Sequence, residues 1–101
     1  MELTSRIIEK TQPVVVESDL GPLAMAHNGN LVNAAELREE LAQSGVSFST
    51  STDSELILKL VATSPGECLV DRVLSVIPRL SGSFSLVFLS QDKIVAARDH
   101  L

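Results

Sequence analysis

The sequence predicts an α+β domain built on a mainly antiparallel sheet, and three observations carry that reading. Strand-like runs arrive in pairs, Pro13–Ser18 with Leu23–His27 early and Ser83–Ser90 with Lys93–Asp99 late. Between the pairs lie three segments with apolar residues at helical spacing. Strands that come as hairpins, rather than singly between helices, close antiparallel ladders.

Each element has a local cause. Residues 1–12 are polar and irregular. "PVVVES", Pro13 to Ser18, has the β-branched run of a strand, and Asp19-Leu20-Gly21-Pro22 turns it into "LAMAH", Leu23 to His27. The first helix has Asn33 as N-cap with Glu36 three residues on, a capping-box spacing, Leu37 and Leu41 on one face, and Gly45 at C′. Val46–Thr52 alternates weakly, as a short edge strand would. The second helix has Thr52 as N-cap, Asp53 in the first turn and Glu55 at N3, with Leu56, Ile57, Leu60 and Val61 inward; Ser64-Pro65-Gly66 stops it. A third runs from about Cys68 to Leu80 on a stripe of Leu69, Val73, Val76, Ile77 and Leu80, with Pro78 tightening or ending its last turn. "SFSLVFLS" sets Phe84, Leu86 and Phe88 on one face, and Gln91-Asp92-Lys93 turns it into "KIVAARD".

Composition narrows the function classes. At 101 residues and 45% hydrophobic content the chain fits one domain with a modest core. A net charge of −5 without a basic cluster disfavours a nucleic acid or an anionic membrane, and no apolar run is long enough to cross a bilayer. The single cysteine, Cys68, excludes an internal disulfide and a cysteine-based zinc site, which fits a reducing compartment. "MELTSRIIEKTQP" has neither a signal core nor a transit composition, so a cytoplasmic protein is expected. No phosphate loop or metal-ligand spacing is present, and neither a cofactor nor a metal is expected.

The chemistry centres on His27-Asn28-Gly29-Asn30. One reading is a tight turn, in which Gly29 takes positive φ and Asn28 tolerates a left-handed conformation. The other uses the same break: backbone N–H groups freed at a strand end, with the Asn28 amide beside Gly29, converge as an oxyanion hole for acyl transfer. Asp53 likewise has two readings, as a partner of the helix dipole or of a substrate ammonium. His27 reads as a satisfied strand-end residue and Cys68 as a small core residue, though a thiolate would be mildly favoured there; His100 is uninformative.

"LAMAHNGNLVNAAELREEL", "STDSELILKL" and "GSFSLVFLSQDKIVAARD", in that order and preceded by "TQPVVVES", resemble the glutaminase domain of the amidophosphoribosyltransferase family. Other class II amidotransferases share the His-Asn-Gly element, but the continuation through Asn33 and Leu41 is most similar to the purine enzymes. The resemblance runs from about Gln12 to Asp99, so residues 1–101 read as a partial class II glutamine amidotransferase domain. It implies part of a four-layer α/β/β/α sandwich of the N-terminal-nucleophile class. It also implies glutamine hydrolysis that supplies ammonia to phosphoribosyl diphosphate in the first step of purine synthesis. By the same match Asn28 and Gly29 form the oxyanion hole and Asp53 binds the glutamine ammonium.

The resemblance also sets an expectation of incompleteness. The family's nucleophile is an N-terminal cysteine; Met1-Glu2 cannot take that role, Cys68 does not match it, and no nucleophile is assigned in this chain. "MELTSRIIEK" lacks the family's carboxylate-binding arginine motif, and Arg6 does not replace it. The chain alone is therefore expected to be inactive, with its open sheet edges pairing with another copy or with the rest of the enzyme. The alternatives are a short non-catalytic binding or assembly module derived from this fold, or a piece of another class II amidotransferase.

Overall fold

The computed structural model describes residues 13–99. The readings of Met1–Gln12, Arg6 among them, and of His100 fall outside those residues. Two hairpins form one sheet. β1 (Val14–Ser18) turns at Asp19-Leu20 into β2 (Gly21–Leu31), and β3 (Gly82–Leu89) turns through Ser90–Lys93 into β4 (Ile94–Arg98). The order is β1-β2-β3-β4, antiparallel throughout, with β2 and β3 paired from Ala24↔Leu89 to Leu31↔Gly82. The class is α+β, as the paired strand runs predict.

Between β2 and β3 the chain forms α1 (Ala34–Gln43), α2 (Asp53–Thr63) and α3 (Leu69–Val76). Alternation on the strands turns Leu23, Met25, Phe84, Leu86 and Phe88 inward, where they meet Leu56, Ile57, Leu60 and Val61 of α2 and Val73 and Val76 of α3. Each fully buried apolar side chain contributes roughly 1.5–3 kcal/mol. Leu58 is also fully buried, on a helix that packs against α1 and α3 as well as against the sheet.

The second sheet face carries Val15, Val87, Leu89 and Ile94 into solvent, with Ile94 73% exposed. One helical layer on one sheet makes two layers of the four-layer sandwich. Among the described residues no helix is long and apolar enough to cross a membrane.

Several expectations are corrected. His27–Asn30 is not a turn: β2 continues as an extended strand through Leu31, with Asn28 opposite Ser85 and Asn30 opposite Ser83. An Asn-Gly pair makes a hairpin only when the flanking segments pair with each other, and here β2 has found a partner fifty residues away. Asn33 stands at the N-cap position but caps nothing. Its amide donates to Arg79 O (2.8 Å) and its Oδ1 accepts from Ser81 N–H (3.1 Å), tying the start of α1 to the approach to β3.

Val46–Thr52 forms no strand, since side chains rather than a neighbouring strand take its backbone groups. The third helix is shorter than its stripe. It ends at Val76 and tightens into a 3-10 turn over Ile77–Arg79, where Pro78 lacks the N–H an α-helix would use. Two termini stand as expected. The Thr52 hydroxyl accepts from Glu55 N–H at 3.3 Å. Gly45, at φ +94°, closes a Schellman pair, with Gly45 N–H on Ala42 O and Val46 N–H on Leu41 O.

Candidate functional site

The three candidate residues gather at one end of the sheet, where the β2–β3 ladder is distorted. Gly29 and Gly82 lie on facing strands with φ of +130° and +128°, a conformation that L side chains rarely adopt. A Cβ on Gly29 would stand 2.2 Å from Ser83 O, and one on Gly82 would stand 2.2 Å from Asn30 O. Only glycine lets the two backbones approach this closely.

β1 pairs with β2 only as far as Met25 and β4 with β3 only as far as Ser85, so beyond those points the outward N–H groups of β2 and β3 have no strand beside them and side chains take over. Leu31 N–H donates to Asp53 Oδ2 at 3.3 Å, and Phe84 N–H donates to Asp99 Oδ1 at 3.0 Å. The end of β2 is thereby joined to the first residue of α2. Asp53 thus sits at a helix N-terminus, where the dipole favours its charge, and holds the strand two residues beyond Gly29. Sequence offered a dipole partner or an ammonium partner; the bond to Leu31 is a third contact that no spacing rule reveals.

Asn28, Gly29 and Asn30 are exposed. Alternation puts Asn28 on the open face of the sheet, in register with Ser85 and, one strand further, Arg98. Asn28 therefore approaches from the open face, Gly29 forms the rim, and Asp53 closes the helix side. An exposed amide beside a glycine is the chemistry that suits an oxyanion, and a carboxylate the chemistry that suits a cation.

His27 points the other way. It is buried beside Leu86, burial pushes its pKa below the ordinary value, and the charge of Asp53 pulls it partly back. It is consequently neutral near pH 7, a packed residue rather than an exposed base. Cys68 lines a cavity with Leu20 and Gln91–Lys93 at the opposite end of the sheet. Asn28 is eight residues along β2 from there, roughly 27 Å at about 3.4 Å per residue. Cys68 cannot attack a substrate held at Asn28.

A cavity of about 620 Å3 between α3 and β4 is mostly apolar and is lined by none of the three candidates. Among the described residues no cluster of His, Cys, Asp or Glu could hold a metal ion. Sequence reasoning read Asn33 and Glu55 as capping residues, where the structure bonds them to Arg79 and Ser81 and to Ser49 and Thr50, and it missed Asp99. An Asp directly after a strand is the signal that could have found Asp99.

A family model of the glutamine amidotransferase domain matches residues 3–101. Amidophosphoribosyltransferase 3, chloroplastic, of Arabidopsis thaliana is 41% identical over 93 residues, covering 92% of this chain and 18% of that protein. The amidophosphoribosyltransferase of Rattus norvegicus is 42% identical over 98 residues, covering 91% and 19%. Among solved structures, the glutamine phosphoribosylpyrophosphate amidotransferase from B. subtilis, complexed with ADP and GMP, superposes with a TM-score of 0.82 at 35% identity. That match covers 87% of this chain and 20% of that one. The chain thus spans about a fifth of the length of these relatives. Sequence and fold agree over nearly the same span, and the chain belongs to the glutamine amidotransferase domain family.

Proposed function

We propose that this chain is the central part of the glutaminase half of an amidophosphoribosyltransferase, with the polypeptide that carries it several-fold longer. What supports the reading is that Asn28-Gly29 and Asp53, 24 residues apart in sequence, meet at one strand end through the Leu31–Asp53 hydrogen bond. The Asn28 amide and the Gly29 N–H stabilise the oxyanion formed when glutamine's side-chain amide is attacked, and Asp53 takes the glutamine ammonium. The ammonia released goes to phosphoribosyl diphosphate in the transferase part, at the first step of purine synthesis. The nucleophile comes from another segment, because Cys68 is at the wrong end of the sheet. Residence is a reducing compartment, the cytoplasm or, by the names of the plant relatives, the chloroplast.

Glutamate release by the intact polypeptide tests this. Asn28→Ala lowers kcat about 10²–10³-fold, the usual effect of removing one oxyanion donor. Asp53→Asn raises the KM for glutamine, and Cys68→Ala leaves both unchanged. Full activity in Asn28→Ala and Asp53→Asn would remove the assignment. Glutamate release by the 101-residue chain alone, lost in Asn28→Ala and kept in Cys68→Ala, would show that it holds its own nucleophile.

A further inference from the structure

The segment leading into Asp53 is held more heavily than a helix cap requires. Glu55, 4% exposed, accepts from Ser49 N–H through Oε2 (2.8 Å) and from Thr50 N–H and the Thr50 hydroxyl through Oε1 (2.7 and 2.8 Å). Lys59 pairs with the same carboxylate at 3.2 Å and donates to Ser47 O. In a capping box, Glu55 would reach back to Thr52 N–H. Here Thr50 Oγ1 accepts that N–H at 3.2 Å and lies 2.9 Å from Thr52 Oγ1, leaving Glu55 to the segment before it. From α1, the Arg38 guanidinium donates to Thr50 O (3.3 Å) and Thr52 O and lies 4.7 Å from the Phe48 ring centroid.

We propose that Glu55 is a positioning residue: with Arg38 it fixes Ser49–Thr52, and through Thr52 it sets the Asp53 carboxylate against Leu31 N–H at the rim formed by Gly29. A buried carboxylate is costly unless fully hydrogen-bonded. Thr52 alone already caps α2. What Glu55 adds is a fixed approach to Asp53, whose carboxylate hydrogen-bonds α2 to β2. The assignment rests on the reading of Asp53 as the ammonium site only for its functional consequence.

The test reads the Leu31 response, the protection of its amide against hydrogen exchange in the 15N-labelled chain at one fixed pH, with the amides of Ala24 and Phe88 as references. Asp53→Ala removes the acceptor of that N–H and sets the size of a full loss. Glu55→Gln is expected to lower the Leu31 protection at least severalfold while Ala24 and Phe88 keep theirs. A lowered melting temperature with an undiminished Leu31 response would overturn the proposal, because Glu55 would then act on stability alone. If Glu55→Gln does not fold, Arg38→Met loosens the same segment from outside and is read the same way. In the intact polypeptide, Glu55→Gln raises the glutamine KM about 5–10-fold with kcat within about twofold. A lost Leu31 response with an unchanged KM keeps the positioning role and overturns Asp53 as the ammonium anchor.

Discussion

The two ends of the sheet are built on different principles. At the end carrying the Asp19-Leu20 turn and the Ser90–Lys93 loop, the strands are regular, and Leu23, Met25 and Phe88 hold them by burial. At the other end the ladder is distorted by Gly29 and Gly82, and Asp53, Asp99 and Asn33 supply partners from side chains. Burial is non-directional and tolerates exchange of one apolar side chain for another. Side-chain bonds to a distorted backbone are directional and tolerate little. The lesson is that the candidate site sits where packing does not determine the backbone and individual polar groups do.

Substitution can break that contrast. Gly29→Ala, with its Cβ 2.2 Å from Ser83 O, is expected to cost more than about 4 kcal/mol in urea unfolding or to abolish the fold. Met25→Leu at the regular end should cost less than about 1.5 kcal/mol. Similar costs for the two would erase the distinction between the ends.

Arg72 is the exception at the regular end. Buried, it donates to Ala62 O and Gly66 O, both at 2.9 Å, and pairs with exposed Asp19, whose carboxyl it holds below the usual range through their hydrogen bond. Arg72→Met is expected to cost about 3–4 kcal/mol, because two carbonyls lose their partner. Asp19→Asn should change stability little. An equal loss from both would mean that the ion pair, and not the carbonyls, matters.

Acid separates the polar network from the core. Burial pushes the Glu55 carboxyl up, but the Ser49 and Thr50 donors and Lys59 outweigh it and leave the pKa at about 2, against an ordinary value of 4.5. The unfolded chain therefore takes the proton first, and stability present above pH 4.5 falls as pH drops towards 2. The loss is on the order of 3 kcal/mol. His27, lowered from 6.5, acts in the same sense at higher pH: stability present above 6.5 declines below it. Urea midpoints measured against pH should show both steps, with the lower one missing in Glu55→Gln.

Smaller effects sharpen the picture. Asn33→Ala removes two backbone contacts and should cost about 1–2 kcal/mol, more than a surface asparagine would. Ile94→Ser, on the open face, should stay within about 0.5 kcal/mol in this chain. In the intact polypeptide the same change is expected to cost clearly more, because the four-layer sandwich that the family resemblance implies would cover that face.

Sequence alone determined the α+β class, the two hairpins, the inward faces of α1, α2 and β3, and the caps at Thr52 and Gly45. These follow from periodicity and local backbone chemistry within a few residues, which sequence displays directly. It also marked Asn28, Gly29 and Asp53, through a resemblance that covers nearly the whole chain. Only the tertiary structure decided that His27–Asn30 is strand and not turn, because the partner of β2 lies more than fifty residues away on β3. It alone decided that Asn33 bridges to Arg79 and Ser81 instead of capping, and that Glu55 and Arg38 fix a segment whose alternation looked like a strand. A polar side chain bonds to whichever unsatisfied backbone group the fold brings near, and that neighbour is a property of the assembled chain.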